Sequence, residues 1–242
     1  MTIYIGTSGW SYDHWQGTLY PPGLPPRDRL VHYAQSFPTV EVNSTFYRWP
    51  VDAVFTRWYA RVPADFVMTV KAPRGLTHDA RLYAPERWLA QIGRGMQLLG
   101  DKRGALLVQT PADLAYDYAR LAYFLDRIPP WLRVALEFRH PSWHCEPVFA
   151  LLERYSAAYC VMSGARLPCM LRATAPFVYV RLHGPDSHYL YAGSYADADL
   201  QWWAARIHEW AGMGRDVFVY FNNDGNGYAV RNANTLRLVL GR

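Results

Sequence analysis

Eight short runs with the look of β-strands recur along the chain, and amphipathic helical runs separate most of them. The runs are TIYIG (2–6), TVEVNS (39–44), FVMTVK (66–71), GALLVQ (104–109), RVALEF (133–138), AAYCVM (157–162), FVYVRLH (177–183) and DVFVYFN (216–222). Strand and helix in repeated succession specify parallel pairing, because a parallel connection must cross over and a helix is the usual crossover. Eight such units in 242 residues predict an α/β chain folded as a single (β/α)8 TIM-type barrel domain over residues 1–242.

The helical runs carry apolar stripes at the spacing of a half-buried helix. Leu30, Tyr33, Ala34 and Phe37 follow Pro25 and Pro26, which suit a helix start. Trp88, Ile92, Met96 and Leu99 form a second stripe; Leu114, Tyr118, Leu121 and Leu125 a third; Leu200, Trp203, Ile207 and Trp210 a fourth; a last helix near 228–240 presents Ala229, Ala233, Leu236 and Leu240. Their rings are read as core packing against the sheet. Residues 163–176 contain Pro168 and show no clear period, so the sixth helix is expected to be short or missing. No linker rich in Gly and Ser and no internal repeat divides the chain.

Composition narrows the function classes. No uncharged apolar stretch of about 18 residues is present, and the start MTIYIGTSGW lacks a basic segment followed by an apolar run. A cytoplasmic protein without a membrane partner is expected. Cys145, Cys160 and Cys169 have no CxxC spacing and cannot all pair, which argues against a disulfide framework or a zinc knuckle. The net charge of +5 would suit an acidic partner, but the 25 basic residues never form a run of four, so nucleic-acid binding is permitted and not indicated. Aromatic residues reach 16%, and some of these rings are expected to line a surface or pocket. Oligomeric state is open.

In a barrel, alternate strand residues face the helices and the barrel axis. Placing the apolar set outward puts Val40, Val42, Leu106, Val108, Val134, Leu136 and Phe138 against the helices, with Val178, Val180, Leu182, Val217, Val219 and Phe221. The inward set is then polar: Glu41 and Asn43, Thr69 and Lys71, Gln109, Glu137 and Arg139, Arg181 and His183, Tyr220 and Asn222. These residues sit toward the C-terminal strand ends, where barrel enzymes assemble their sites. Buried charge costs several kcal/mol per ion unless paired, so the cluster reads either as a functional site or as a self-satisfied network that plugs the barrel.

The segments IGTSGWSYDHWQGTLYP, VEVNSTFYRWP, VKAPRGLTH, EFRHPSW, VYVRLHG and YFNNDGNGYAVRNA resemble the domain-of-unknown-function-72 family, the YecE-like TIM barrels, across essentially the whole chain. The resemblance implies a TIM barrel with a polar pocket at the strand ends and brings no established reaction. The matched positions are Gly6, Ser8, Trp10, Glu41, Asn43, Thr45, Tyr47, Lys71, Arg139, His140, Arg181, His183, Asn222, Asn223 and Asp224. Ser163 departs from the pattern where members often place an aspartate.

Glu41, Glu137 and His183 are the candidate proton-transfer residues, since two enclosed carboxylates and an imidazole can be tuned apart by their neighbours. Arg139, Arg181 and Lys71 are the candidate electrostatic clamp for an anion. Ser8, Asn43, Asn222, Asn223 and Asp224 complete the candidate substrate-binding set with Trp10 and Tyr47. The first loop carries Trp10, Tyr12, Trp15 and Tyr20, which either stack on a sugar or base or cap the barrel as a satellite core. Asp224, Gly225 and Gly227 open the last helix, a place where barrels bind phosphate, although the carboxylate opposes that use.

No cofactor is expected. Glu41, Glu137, His183 and Asp224 could ligate a metal, but Gln109 and Ser163 stand where further ligands would be needed. Cys145 beside His144 reads as structural, because adjacent side chains point apart. The expectation is an enzyme, of hydrolase, isomerase or lyase type, using acid/base chemistry on a small polar, anionic, sugar- or nucleotide-like molecule. The alternative is a non-catalytic module that binds single-stranded nucleic acid or a nucleotide.

Overall fold

In the computed structural model, which describes residues 1–241, eight parallel strands alternate with helices as a (β/α)8 barrel, in the sheet order β1-β8-β7-β6-β5-β4-β3-β2. The strands are β1 Ile3–Thr7, β2 Thr39–Val42, β3 Val67–Lys71, β4 Arg103–Gln109, β5 Val134–Glu137, β6 Ala158–Ser163, β7 Phe177–Leu182 and β8 Asp216–Phe221. Each lies within two residues of its run in the sequence. The helices are α1 Arg29–Ser36, α2 Ser44–Tyr47, α3 Asp52–Arg61, α4 Glu86–Leu98, α5 Tyr118–Asp126, α6 Glu146–Arg154, α7 Asp197–Gly212 and α8 Tyr228–Val239. Among the described residues no helix joins β6 to β7, as the Pro168 segment foretells. No helix among them is long and apolar enough to cross a membrane.

One stripe needs correction. Leu114 lies in the turn before α5, and Tyr118 opens that helix exposed. The helix starts where it does because Asp117 Oδ1 accepts from Arg120 N at 2.9 Å, an N-cap that satisfies an otherwise open amide. Its buried face is Leu121, Phe124 and Leu125. Helices α3 and α6 add to the stripes read from the sequence.

Contacts divide the chain into two compact units. The first holds Met1–Glu41, Val161–Leu171 and the chain from Phe177 onward. In it β8 pairs with β1 through Ile5↔Val219 and with β7 through Val180↔Val219. Val178, Val180, Val217 and Val219 are buried on one face, as are Leu200, Trp203 and Ile207 of α7 and Ala229, Ala233 and Leu236 of α8. The other face is aromatic toward the strand starts: Tyr4 stacks on Phe218 at 4.8 Å and Tyr179 meets Tyr220 at 5.3 Å. Gly6 lets the start of β2 approach closely, since a Cβ there would lie 2.2 Å from Thr39 O.

The first loop settles against this unit as a satellite core. Trp15 and Tyr20 are buried, and the Trp15 ring contacts Tyr12, Tyr20 and Tyr33. Of the two uses open to those rings in the sequence, Trp15 and Tyr20 take the packing one.

The second unit holds Val42–Cys160 and Arg172–Pro176. Here β3 pairs with β4 across a register shift between Met68 and Val70, β4 pairs with β5 through Val108↔Leu136 and Gln109↔Glu137, and β5 meets β6 at Leu136↔Tyr159. Gly95 of α4 makes room for the Phe55 ring of α3, which a Cβ would approach to 2.8 Å. Trp143 stacks on Phe138 at 4.8 Å and donates from Nε1 to Leu114 O at 2.6 Å.

Candidate active site

The inward register read from the sequence includes Glu41 and Arg181 of the first unit, and in the structure their side chains meet each other and those of Ser8 and Tyr179. Glu41 is fully closed to solvent, with three donors on its carboxylate. Ser8 Oγ donates to Oε1 at 2.7 Å, Arg181 Nη2 donates to the same oxygen at 2.7 Å, and Tyr179 Oη donates to Oε2 at 2.6 Å. Burial, and next the Glu41 charge, push the Tyr179 hydroxyl well above the ordinary phenol range, so it stays a neutral donor. Tyr179 is absent from the sequence-derived set, although it lies two residues before Arg181 and therefore on the same face; that parity was the available signal.

One residue past β7, His183 is also fully buried. Its Nδ1 lies 3.2 Å from Asn222 Nδ2, which holds the orientation of the ring. Its backbone is fixed from both sides, donating to Ser163 O at 2.7 Å and accepting from Tyr191 N at 2.7 Å. The Tyr191 ring meets the imidazole at 5.4 Å from a backbone with φ of 72°. A bulky residue in that region is strained, a condition that clusters at functional sites. Ser163, the departure from the family pattern, accepts from Tyr195 Oη at 3.1 Å.

The final loop serves the first. Asp224 Oδ1 accepts from Trp15 Nε1 at 2.6 Å, and Oδ2 lies 3.1 Å from His14 Nε2. Burial raises the Asp224 carboxyl above its ordinary range, and the Trp15 and His14 contacts offset part of that rise. Asn223 is buried and donates to Gly193 O and Asn232 Oδ1, both at 2.9 Å, tying the loop after β7 to α8. Trp10 is half-buried, and its carbonyl accepts the Tyr20 hydroxyl.

In the second unit Glu137 at the end of β5 is fully buried and takes the Arg139 fork, with Nε at 2.5 Å and Nη2 also on Oε1. Cys160 Sγ is 3.8 Å from Oε2. His140 accepts from Ser142 N at 3.2 Å and so caps the short turn Pro141–Trp143. Thr45 Oγ1 bridges Val42 O at 2.9 Å and Lys71 O at 2.6 Å. Lys71 Nζ rests 4.4 Å from the Phe46 ring centre. Tyr47 at the end of α2 is 83% exposed and meets the Phe46 ring edge-on at 5.2 Å. Asn43 Oδ1 is buried with no hydrogen-bond partner. Among the described residues no group of three or more His, Cys, Asp or Glu side chains is placed to hold a metal ion.

The two polar clusters, each built on a buried glutamate clasped by arginine, are the setting for the comparisons with known proteins. The family described as "Protein of unknown function DUF72" matches residues 4–242. The UPF0759 protein YunF of Bacillus subtilis is 30% identical over 95% of this chain and 92% of its own length. YecE of Escherichia coli K12 is 30% identical over 58% of this chain and 50% of its own. A solved DUF72 family structure from Thermotoga maritima matches with a TM-score of 0.90 and 26% identity, covering 100% of both chains. Another, from Enterococcus faecalis, gives 0.86 at 20% identity, covers 100% of this chain and 96% of its own, and shows the common fold. With its motifs, its (β/α)8 fold and a family match over nearly its full length, this chain belongs to the DUF72 family.

Proposed function

We propose that this chain is an enzyme that uses acid/base chemistry on a small polar, anionic molecule of sugar or nucleotide type, held by residues at the C-terminal ends of its strands. The observation that carries the reading is that two fully buried glutamates at strand ends, Glu41 and Glu137, are each clasped by an arginine. Replacing a buried ion pair with apolar residues is often neutral or stabilising by about 1–4 kcal/mol. Packing alone gives no reason to keep two of them.

The geometry supports a division of roles. Glu41 already accepts from three donors, which suits a residue that fixes Arg181, Tyr179 and Ser8. Glu137 and His183 are then the proton carriers. Asn222, 3.2 Å from Nδ1, orients the His183 ring for proton transfer at Nε2. Arg139, held by Nε and Nη2 on Glu137, brings a fixed guanidinium charge that suits a nearby carboxylate or phosphate. The nucleic-acid reading is weakened because Trp15 and Tyr20, which would stack on bases, are buried.

A thermal-shift screen against sugar phosphates, nucleotides and inorganic phosphate tests the reading, since a ligand of the native state raises stability by mass action. The proposal expects at least one compound to stabilise the wild type and to lose its effect with Glu137→Gln or His183→Asn. No response from any phosphorylated compound, together with oligonucleotide binding indifferent to both substitutions, would overturn it.

A further inference from the structure

The second unit carries a group of side chains that the roles above leave out. After β2 the chain turns at Asn43 into the single turn α2, where Phe46 N donates to Asn43 O at 3.1 Å. Thr45 fastens that turn to the end of β3, so Phe46 lies beneath the Lys71 ammonium at 4.4 Å. The His78 ring meets the same Phe46 ring edge-on, at 5.0 Å and 81°. A cation and an imidazole thus converge on one aromatic ring.

His78 is positioned by an unusual backbone. It sits in a π-helical turn, Gly75–Asp79, a form that recurs at functional sites. The turn packs against Trp88 with no room for a side chain at its first residue, since a Cβ on Gly75 would lie 2.2 Å from that ring. Thr77 Oγ1 at 2.8 Å holds the imidazole through Nδ1, which fixes where Nε2 points.

The local charges favour an anion. Facing His78 are Lys71 from β3, Arg74 and Asp79 from its own turn, and Asp113 from the loop after β4. Arg74 lies 3.5 Å from Asp79, and Arg81 pairs with Asp113. Burial, then Lys71 and Arg74, hold the imidazole below its ordinary value. In the turn that carries Phe46, the buried Asn43 Oδ1 accepts no hydrogen bond. A buried acceptor without a donor is unfavourable, so such a site calls for a ligand hydroxyl or N–H.

We infer that Phe46, Lys71 and His78 form a binding subsite for an oxyanion, a phosphate or carboxylate group, with Asn43 taking a hydroxyl or N–H of the same molecule. Lys71 supplies the charge, His78 an N–H donor at Nε2 once protonated, and Phe46 the ring on which both rest. The inference deepens the anionic-substrate reading by naming the residues that hold the anion. It makes no claim on proton transfer by Glu137 or His183.

The test is an NMR titration of the His78 imidazole in the full chain, assigned with His78→Asn, in phosphate, in acetate and in sodium chloride of matched ionic strength. The subsite predicts that phosphate or acetate raises the His78 titration midpoint above its value in chloride; the stronger of the two names the oxyanion class. Lys71→Met abolishes the response. Asn43→Asp, which adds a repelling charge, weakens it severalfold and serves where Lys71→Met does not fold. Superimposable titrations in all three salts overturn the inference, as does a full response in folded Lys71→Met. Stabilisation by a sugar phosphate with His78 unmoved overturns the subsite alone and leaves the enzyme reading standing.

Discussion

Arg181 Nη2 stands 2.7 Å from Glu41 Oε1, with both side chains closed to solvent. Neither charge has water to fall back on, so each depends on the other and on the donors around them. Ser8 and Tyr179 complete the shell of Glu41, which makes Ser8 just past β1, Glu41 of β2, and Tyr179 and Arg181 of β7 one energetic unit.

Arg181→Met should therefore cost about 3–5 kcal/mol, because it strands a buried carboxylate. Glu41→Gln combined with Arg181→Met should cost clearly less than the sum of the two single changes. Urea unfolding of the three variants checks this; additive losses would show that the pair is not coupled.

Gly6→Ala should destabilise by at least about 1–3 kcal/mol, the usual range for overpacking. The added methyl would meet Thr39 O at 2.2 Å, and a backbone carbonyl cannot swing aside. Gly212→Ala, where nothing lies within 4 Å of the added Cβ, should change stability little. Thermal melts of the two variants side by side give the comparison.

Two histidines should weaken the fold in mild acid. Burial holds His144 below its ordinary 6.5, and burial with Lys71 and Arg74 does the same to His78. The unfolded chain then takes up protons at higher pH than the folded one. Stability is fully present above the ordinary value and is lost as pH falls through the lowered ones. Urea midpoints should decline from about pH 7 to pH 5, and His78→Asn combined with His144→Asn should flatten that decline.

Asp224 has the opposite sign. Its raised carboxyl favours the protonated form in the folded chain, so its contribution is present below the ordinary 3.8 and is lost as pH rises through the raised value. Trp15 Nε1 donates to the ionised form, so Trp15→Phe should push the Asp224 carboxyl higher still. Carboxyl ¹³C titration of both proteins measures the change; an unmoved or lower midpoint would contradict the Trp15 contact.

The strands were readable because alternation fixes which face each residue takes, and Glu41, Arg181 and His183 follow from it. The Pro168 segment likewise announced the missing helix. What the pattern could not disclose depends on contacts distant in the chain. Trp15 is buried in part because Asp224, 209 positions later, accepts its indole N–H. Helix α3 escaped notice because Phe55 is its only fully buried residue, too little to make a stripe. The site of His78 rests on a π-turn, which has no sequence period of its own.

The most direct test of the central claim is titration calorimetry of the best stabilising compound, and of a single-stranded oligonucleotide, with wild type and Arg139→Lys at low and high salt. Arg139→Lys keeps the charge and loses the fork. The account predicts that the small molecule binds the wild type, weakens at least about tenfold with Arg139→Lys, a loss of about 1.4 kcal/mol, and keeps most of its affinity in salt. Oligonucleotide binding that is tight, collapses in salt and ignores Arg139→Lys, with no small molecule bound, would contradict it.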